Sequence, residues 1–405
     1  MKRLRLLVPL VVASAALTGA VTDAAPARAA GVQYGVGSTS LAAPAAGGRY
    51  LYVATTGTDS YRQYSRVPCL RDPASKPPYQ DACPEPTAEA PLRTVQAAVR
   101  AARAGDVIVV RGGTYAEAVG WGLNRGTASR PIVLQSAPGE RVQVSGTLIM
   151  SSPDYWTVRG IRFVHNAAVQ KTGQAVVLIS GGVGWRFRNN EVTGSTGVAN
   201  LLVNATTANG DAATLRNAAP RDYQIAGNCI HDNRASGPQG TDHNIYLMSS
   251  IYSTGGVIER NLLAGAPRGS NIKAAGSTPA LASGSPRNVA IRYNTMLAAA
   301  SGLTIGLQAQ AVEAQYNVIA QPAGSGRYDG AVKTYQLATP GKNAAKDSLL
   351  SGYARPISED FGVTQHLFTA RNDTRTPFAY TGSVPNCTAR PASAAVAAKY
   401  GQYAG

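Results

Sequence analysis

The stretch GVIERNLLAG, residues 256–265, contains a short alternating strand, an asparagine and a second short strand. The same frame recurs as WRFRNNEVTG (185–194), YQIAGNCIHD (223–232), VAIRYNTMLA (289–298) and VEAQYNVIAQ (312–321). Its asparagines, 38, 33, 33 and 23 residues apart, are Asn190, Asn228, Asn261, Asn294 and Asn317. Short strands at a regular period, with no helices between them, are typical of a solenoid, in which each coil buries its apolar residues against its neighbours. We expect the asparagines to occupy one tight turn of each coil and their amides to hydrogen-bond from coil to coil.

A second kind of strand lies between these blocks: NLLVN (200–204), NIYLM (244–248), NIKAA (271–275), GLTIG (302–306) and AVKTY (331–335). Because side chains alternate across a strand, the apolar residues at every second position should face the core. The residues between them then form an outward row, with neighbours about 4.8 Å apart: Leu202, Tyr246, Lys273, Thr304 and Lys333. A parallel outward row is predicted beside it: Asn200, Asn244, Asn271 and Gly302, with His243 and Ser270 just before it and Arg268 in the preceding turn.

The stretch PLRTVQAAVRAARAGDVIVV, residues 91–110, predicts a helix followed by a buried strand. Its apolar residues Val95, Ala98, Val99 and Ala102 have amphipathic helical spacing. Thr94 can cap the start of this helix and Gly105 its end. A helix at about 94–103 would cap the open end of the solenoid and protect the unpaired sheet edge there.

The first thirty residues have a basic start, an apolar run and small residues around Ala29, as in a secretory signal peptide. No later apolar run is long enough to span a bilayer. Residues 31–48 are rich in Gly, Ala and Ser and are interpreted as a flexible lead-in. We therefore predict a secreted, extracellular, monomeric protein with one domain over 49–405, ending in an irregular C-terminal cap over about 344–405.

Four cysteines in an exported chain predict two disulfides. Cys69 and Cys83 flank a proline-rich insertion and are expected to pair, which leaves Cys229 to tie the C-terminal tail to the body through Cys387. The cysteines lack the spacing of a zinc site, so no structural metal is predicted.

The net charge of +16 includes a surplus of +3 in the predicted signal peptide, which leaves about +13 on the mature chain. A field of this sign favours a polyanionic partner such as an acidic polysaccharide, although an Ala- and Arg-rich composition would produce it without one. The basic residues are spread along the chain and do not interleave with aromatic residues, so no nucleic-acid partner is predicted.

The stretches LYVATTGTD (51–59) and PLRTVQAAVRAARAGDVIVVRGGTYAEAV (91–119) resemble the opening of pectate-lyase-like right-handed parallel β-helix proteins, including polysaccharide lyase family nine. The resemblance is close over roughly residues 50–120, and the coils to about residue 335 agree with it in style. It implies an all-β fold, a single right-handed parallel β-helix, whose outer surface binds glycans in the enzymes of this class. Proteins of this fold also include glycoside hydrolases, uronate epimerases and non-catalytic adhesion proteins.

Pectate lyases of this architecture use a Lys or Arg base on the helix surface, together with calcium held by carboxylates, and the resemblance matches Lys273 to the base. In β-elimination the base removes the proton next to the uronate carboxylate, and cations or donors stabilise the enolate. A lysine can do this if its pKa falls from about 10.4 toward the operating pH, and nearby Lys333 and Arg268 would lower it. The rows around Lys273 contain no cluster of Asp or Glu that could bind calcium, and the nearest carboxylate in sequence is Asp242. No metal ligands are therefore assigned, and the cofactor is left unknown.

The other site residues are assigned from the same register. Tyr246 is predicted to act as acid or base, and His243 to orient Tyr246 or serve as an alternative base. The residues predicted to contact the substrate are Asn244, Asn271, Arg268, Thr304, Lys333 and Asn200.

These assignments favour a secreted polysaccharide lyase acting on an acidic, uronate-containing glycan. A glycoside hydrolase would need two carboxylates roughly 5 to 10 Å apart across a cleft, and the predicted rows offer no such pair. A uronate epimerase would share the proton-abstraction step and the same residues. A non-catalytic glycan- or wall-binding solenoid would bind the polyanion without turnover.

Overall fold

The computed structural model describes residues 40–59, 87–171, 173–207, 210–234, 242–276, 285–321, 330–337, 341–360 and 367–404. The predicted signal peptide, most of the lead-in and the predicted Cys69–Cys83 pair lie outside the described residues.

Parallel strands stacked coil upon coil make up almost all of the described chain. Eleven of the described strands form one sheet, sheet A, in which each strand pairs with the equivalent strands of the coils before and after it. Its strands are Tyr50–Val53, Val107–Val110, Ile132–Ser136, Trp156–Arg159, Arg186–Arg188, Gln224–Ala226, Gly256–Glu259, Arg287–Arg292, Gln310–Gln315, Asn343–Lys346 and Leu367–Ala370.

A second sheet, sixteen-stranded within the described ranges, is bent into two limbs, B and C. Two long strands, Leu262–Ala275 and Thr295–Gly306, run through the bend and belong to both limbs. Limb B also contains Gly113–Tyr115, Val142–Ser145, Arg162–Val164, Glu191–Thr193, Cys229–His231, Val318–Ala320 and Leu349–Ser351. Limb C also contains Ala118–Val119, Thr147–Ser151, Val177–Ser180, Ala199–Asn204, His243–Met248, Gly330–Tyr335 and Arg355–Asp360. Each coil passes through A, B and C in turn, which makes the chain a single right-handed parallel β-helix.

The interior of the helix holds one continuous apolar core that all three strand rows line. Aliphatic side chains fill most of it, and aromatic pairs join neighbouring coils. Phe163 and Phe187 have ring centroids 5.9 Å apart, and Trp185 lies on Tyr223 at 4.8 Å. Each coil therefore depends on its neighbours for burial, as the repeat predicted.

The predicted asparagine ladder is confirmed at the bend between sheet A and limb B. The side chains of Asn190, Asn228, Asn261, Asn294 and Asn317 are fully buried. Each Oδ1 from Asn228 to Asn317 accepts hydrogen bonds from the backbone N–H and the Nδ2 of the preceding asparagine in the ladder. The left-handed residue is the one before each asparagine: Asn189, Gly227, Arg260, Tyr293 and Tyr316. The asparagines are therefore needed for their amides, whereas the turn geometry falls on their neighbours.

The predicted capping helix is confirmed and spans Val95–Ala101. The Thr94 side chain accepts a hydrogen bond from the Ala97 N–H, and the Glu117 carboxylate accepts from the first two N–H groups of the helix, those of Val95 and Gln96. These acceptors satisfy the donors that a helix start leaves open. Gly105, predicted to end the helix, lies beyond its C-cap Ala102, in the turn before the next strand.

A second helix, Ala212–Ala218, follows strand Ala199–Asn204, in the connection that leads back to sheet A. Asp211 caps its start by accepting a hydrogen bond from the Thr214 N–H.

The C-terminal region differs from the prediction of an irregular cap over about 344–405. Strands Asn343–Lys346, Leu349–Ser351, Arg355–Asp360 and Leu367–Ala370 continue all three strand rows in register. The irregular part is the tail after Ala370, with an antiparallel pair (Tyr380–Thr381, Arg390–Pro391), helix Ala394–Lys399 and a 3₁₀ turn at Gly401–Tyr403.

This tail doubles back along the outside of limb B. Ala389, Val396 and Tyr400 pack on apolar side chains that limb B turns outward, such as Leu262 and Val318. The predicted Cys229–Cys387 disulfide is present and fastens the tail to the strand that begins at Cys229. The tail packs along the side of the β-helix because it buries these outward apolar residues. We call the tail after Ala370 the C-terminal strap.

Removing the disulfide should loosen this strap. We expect Cys229→Ala/Cys387→Ala to lower the free energy of unfolding by about 2 to 4 kcal/mol, since the bond joins cysteines 158 residues apart. Calorimetry and limited proteolysis of the two proteins, side by side, would check both effects. An unchanged melting temperature together with an equally protected tail would show that packing alone holds the strap.

Candidate functional site

The predicted outward row on limb C is confirmed in register. Leu202 pairs with Tyr246, Tyr246 with Lys273, Lys273 with Thr304, and Thr304 with Lys333. We call these five residues the outer row. The preceding coils continue it with the aliphatic residues Ile149 and Leu178, and the coil after Lys333 places Ser358 there. The chemistry of the row therefore changes from aliphatic to polar and basic in the C-terminal half of the helix.

Lys273 is half-buried at the centre of this polar half. Burial, followed by the nearby positive charge of Lys333, lowers the pKa of its ammonium to about 8. Its Nζ lies 4.8 Å from the centroid of the Tyr246 ring, whose face attracts an ammonium and so opposes this shift. A lysine in this condition is partly neutral near pH 8 and can accept a proton there.

The structure corrects the predicted acid or base role of Tyr246. Its side chain is 5% exposed, and its hydroxyl donates to the Gly276 carbonyl at 3.2 Å. Burial raises the pKa of this phenol to about 12. The hydroxyl thus keeps its proton, which argues against the base role, and its burial and its donation to Gly276 argue against the acid role. The ring forms a surface for the Lys273 ammonium.

His243 is buried beneath the same surface, with 1% of its area exposed. Its Nδ1 accepts a hydrogen bond from the Ser270 N–H at 3.0 Å, which places the proton of the neutral ring on Nε2. The ring meets Tyr246 edge to face, with centroids 5.1 Å apart. This geometry fits the predicted orienting role and not the alternative of a base, because substrate cannot reach the ring.

The predicted substrate contacts of Asn200, Asn244 and Asn271 are wrong, because these side chains are fully buried. They form a second ladder, in which Asn200 Nδ2 donates to Asn244 Oδ1 at 2.9 Å and Asn244 Nδ2 to Asn271 Oδ1 at 2.7 Å. Their Nδ2 groups also donate to the carbonyls of His231, Ala264 and Leu297. Strict alternation fails here because these residues lie at the bend between limbs B and C, where backbone carbonyls need partners.

Arg268 lies in the same bend, with an exposed side chain that a substrate can reach. Its backbone N–H donates to Asp242 Oδ2 at 3.1 Å. Asp242 is fully buried, and burial raises the pKa of its carboxyl to about 6. Burial and the neighbouring Lys333 account for the lowered pKa of Lys273. The charge of Arg268, which the sequence predicts to act on Lys273, acts instead on the pKa of Asp242.

Thr304 and Lys333 differ in what they can offer a substrate. Thr304 is buried, and its Oγ1 lies 2.6 Å from Ser270 Oγ, so its hydroxyl is already engaged. Lys333 is half-buried on the next coil, in register with Thr304. Of these two predicted substrate contacts, Lys333 is the one that the structure leaves accessible.

The described residues do not supply a calcium site. Among the described residues, one group of three potential ligands lies close enough to share an ion: Cys229, His231 and Cys387. The sulfurs of its two cysteines are joined in the disulfide. Calcium prefers six to eight oxygen ligands, and Asp242 beside the row is fully buried. The donor set does not fit calcium, and we derive no step through a metal.

Tyr335 is a candidate site residue that the sequence reasoning missed. It lies two residues after Lys333 in strand Gly330–Tyr335, where burial alternates between the core-facing and outward residues. It pairs with Gly306 on the preceding coil. The signal was the alternation in AVKTY, which places Lys333 and Tyr335 on the same face.

Comparisons with known proteins agree with the N-terminal signature and the sheet topology. Over 68 residues, which are 16% of this chain and 17% of the other protein, the sequence is 41% identical to pectate lyase PEL9 of Emericella nidulans. The match thus spans about a sixth of that relative. No family model matches the chain.

Two solved structures align with most of this chain, and the first of them supports the fold. The complex of XylC with xylose has a TM-score of 0.53 and 12% identity over 82% of this chain and 71% of that chain. Pectate lyase Pel9A has a TM-score of 0.47 and 12% identity over 82% and 80%. The sheet topology defines the class of the protein, an all-β, right-handed parallel β-helix, and its N-terminal signature is similar to that of a pectate lyase. None of the helices in the described ranges is long and apolar enough to cross a membrane.

Proposed function

We propose that the protein is a secreted polysaccharide lyase that cleaves an acidic, uronate-containing glycan by β-elimination. The observation that carries the proposal is Lys273, a half-buried lysine with a lowered pKa on the outer surface of the β-helix. Support comes from the N-terminal match to a pectate lyase. The N-terminal sequence and the Cys229–Cys387 disulfide support export, since disulfides persist in oxidising compartments.

In the proposed reaction, the neutral Nζ of Lys273 takes the proton from the carbon next to the uronate carboxylate. The electron pair of that C–H bond forms the enolate, and then a carbon–carbon double bond as the bond to the glycosidic oxygen breaks. Water gives a proton to the departing oxygen. The new Lys273 ammonium lies against the Tyr246 ring, which favours the charged form and so assists the proton transfer.

The substrate carboxylate must be neutralised as negative charge develops on the enolate. Lys333, two coils from Lys273 along the outer row, and the exposed Arg268 are the cations placed to do this. The overall positive charge of the chain favours the approach of a polyanion. A uronate substrate therefore fits the site better than a neutral glycan.

The products formed from a panel of acidic polysaccharides distinguish this proposal from its alternatives. The purified protein is incubated with each glycan, with and without chelator, and the products are analysed by mass spectrometry and near-ultraviolet absorbance. A lyase gives unsaturated ends, one water lighter than hydrolysis products, and we expect these to form in chelator. Saturated fragments would point to a hydrolase, inverted uronates in an uncut chain to an epimerase, and binding without any product to a non-catalytic solenoid.

A further inference from the structure

Tyr335 lies on the same outward face as the outer row but in the neighbouring position along the strand. In Gly330–Tyr335, Val332 and Thr334 are buried, while Lys333 and Tyr335 are partly exposed. The ring therefore has an accessible edge or face beside the proposed site.

The ring of Tyr335 leans back over the preceding coil. Gly306 is its register partner, and a Cβ built on Gly306 would lie 2.4 to 2.7 Å from three ring carbons of Tyr335. The ring thus occupies the space that any larger residue at position 306 would need. Gly306 has no positive φ that would require a glycine, so the close approach of the ring is the feature that a glycine serves there.

This lean brings the ring toward Lys273. Lys273, Thr304 and Lys333 are successive partners, so the Tyr335 backbone lies two coils from that of Lys273. The ring covers the intermediate coil, which lies about 4.8 Å from the coil of Lys273. Along the strand direction, Tyr335 is two residues, or about 6.6 Å, beyond the position of Lys273. Side chains in the same position on the two preceding coils are small, those of Ala275 and Gly306. The arrangement leaves an aromatic surface one sugar ring away from the proposed base.

We propose that Tyr335 is a positioning residue whose ring stacks on the sugar next to the uronate that Lys273 deprotonates. The inference rests on the proposed lyase function. A pyranose presents a face of C–H groups, and an aromatic ring can cover that face. Binding energy from this neighbouring sugar would hold the reacting uronate in place.

The test compares steady-state kinetics of four variants on the glycan that the wild type cleaves best. Tyr335→Phe keeps the ring and should stay within about twofold of the wild type. Tyr335→Ala should raise KM by about three- to tenfold and leave kcat nearly unchanged. Gly306→Ala should do the same, because the new Cβ displaces the ring, and Gly306→Ala/Tyr335→Ala should be no worse than either single variant. Tyr316→Ala is the matched control, since this tyrosine stacks on Tyr293 at the bend between sheet A and limb B.

An unchanged KM in Tyr335→Ala, or a loss of kcat in Tyr335→Phe, would overturn the stacking role. If the wild type cleaves none of the acidic glycans, the lyase proposal itself fails, and retention in gels containing those glycans then tests the ring alone. Weaker retention of Tyr335→Ala than of Tyr316→Ala supports stacking of a sugar on the Tyr335 ring, and equal retention of the two variants overturns it.

Discussion

Lys273→Met is expected to lower kcat on the acidic glycan by about a hundredfold to ten-thousandfold, the contribution of a general base. Methionine keeps much of the lysine stem and removes the amine that we propose accepts the proton. The rate of double-bond formation, followed by near-ultraviolet absorbance, measures the loss. Lys346→Met is the matched control, because Lys346 lies on sheet A, where it forms a salt bridge with Glu313.

The fold should survive this substitution. Burial already disfavours the Lys273 ammonium, so its removal should leave the stability at pH 7 equal or higher. A second control on the outer row is Tyr246→Phe, which removes a hydroxyl that donates to Gly276 and keeps the ring, so activity should stay within a few-fold. Full activity of a well-folded Lys273→Met protein would rule out Lys273 as the base.

Asn261→Ala is expected to lower the free energy of unfolding by about 3 to 5 kcal/mol, the largest stability effect we predict. Asn261 Oδ1 accepts from the N–H and Nδ2 of Asn228, and its Nδ2 donates to Ile225 O and Asn294 Oδ1, all at 2.8 to 2.9 Å. Alanine leaves several of these buried groups without a partner, and each costs about 1 to 3 kcal/mol.

Urea denaturation followed by circular dichroism measures this loss. Asn217→Ala is the control, because Asn217 is exposed in helix Ala212–Ala218, where alanine is well tolerated. Equal urea midpoints for Asn261→Ala and Asn217→Ala would contradict this prediction. They would show that water can replace the hydrogen bonds of Asn261 without loss of stability.

The register of this fold could be predicted from the sequence because two periodic signals coincide. The recurring asparagine fixes one bend of each coil, and alternation along the strand then decides which residues face outward. This pattern predicts Lys273 beside Tyr246 and Thr304, and the strand pairing agrees. The chemical role of Lys273 stays a prediction, because register shows where a side chain lies and not what it does.

Three features could not be predicted from that pattern. Alternation does not hold at the bend before Asn244 and Asn271, where buried carbonyls recruit the amides. The direction of the C-terminal tail depends on which outward apolar residues remain uncovered, and that requires the assembled limb B. The contact of Tyr335 with Gly306 depends on how far a ring leans across a coil, which strand periodicity does not encode.

The pH dependence of kcat/KM, measured in chelator for the wild type and Lys333→Met, tests the central claim most directly. Burial and Lys333 lower the pKa of Lys273 to about 8, and in the proposed reaction its neutral form is the active base. The wild-type rate should therefore rise with pH through about 8 and then level off. Lys333→Met removes one of the two causes, so its midpoint should move to higher pH. A wild-type rate that falls with rising pH through this range, or a midpoint that Lys333→Met leaves in place, would contradict a neutral Lys273 acting beside Lys333.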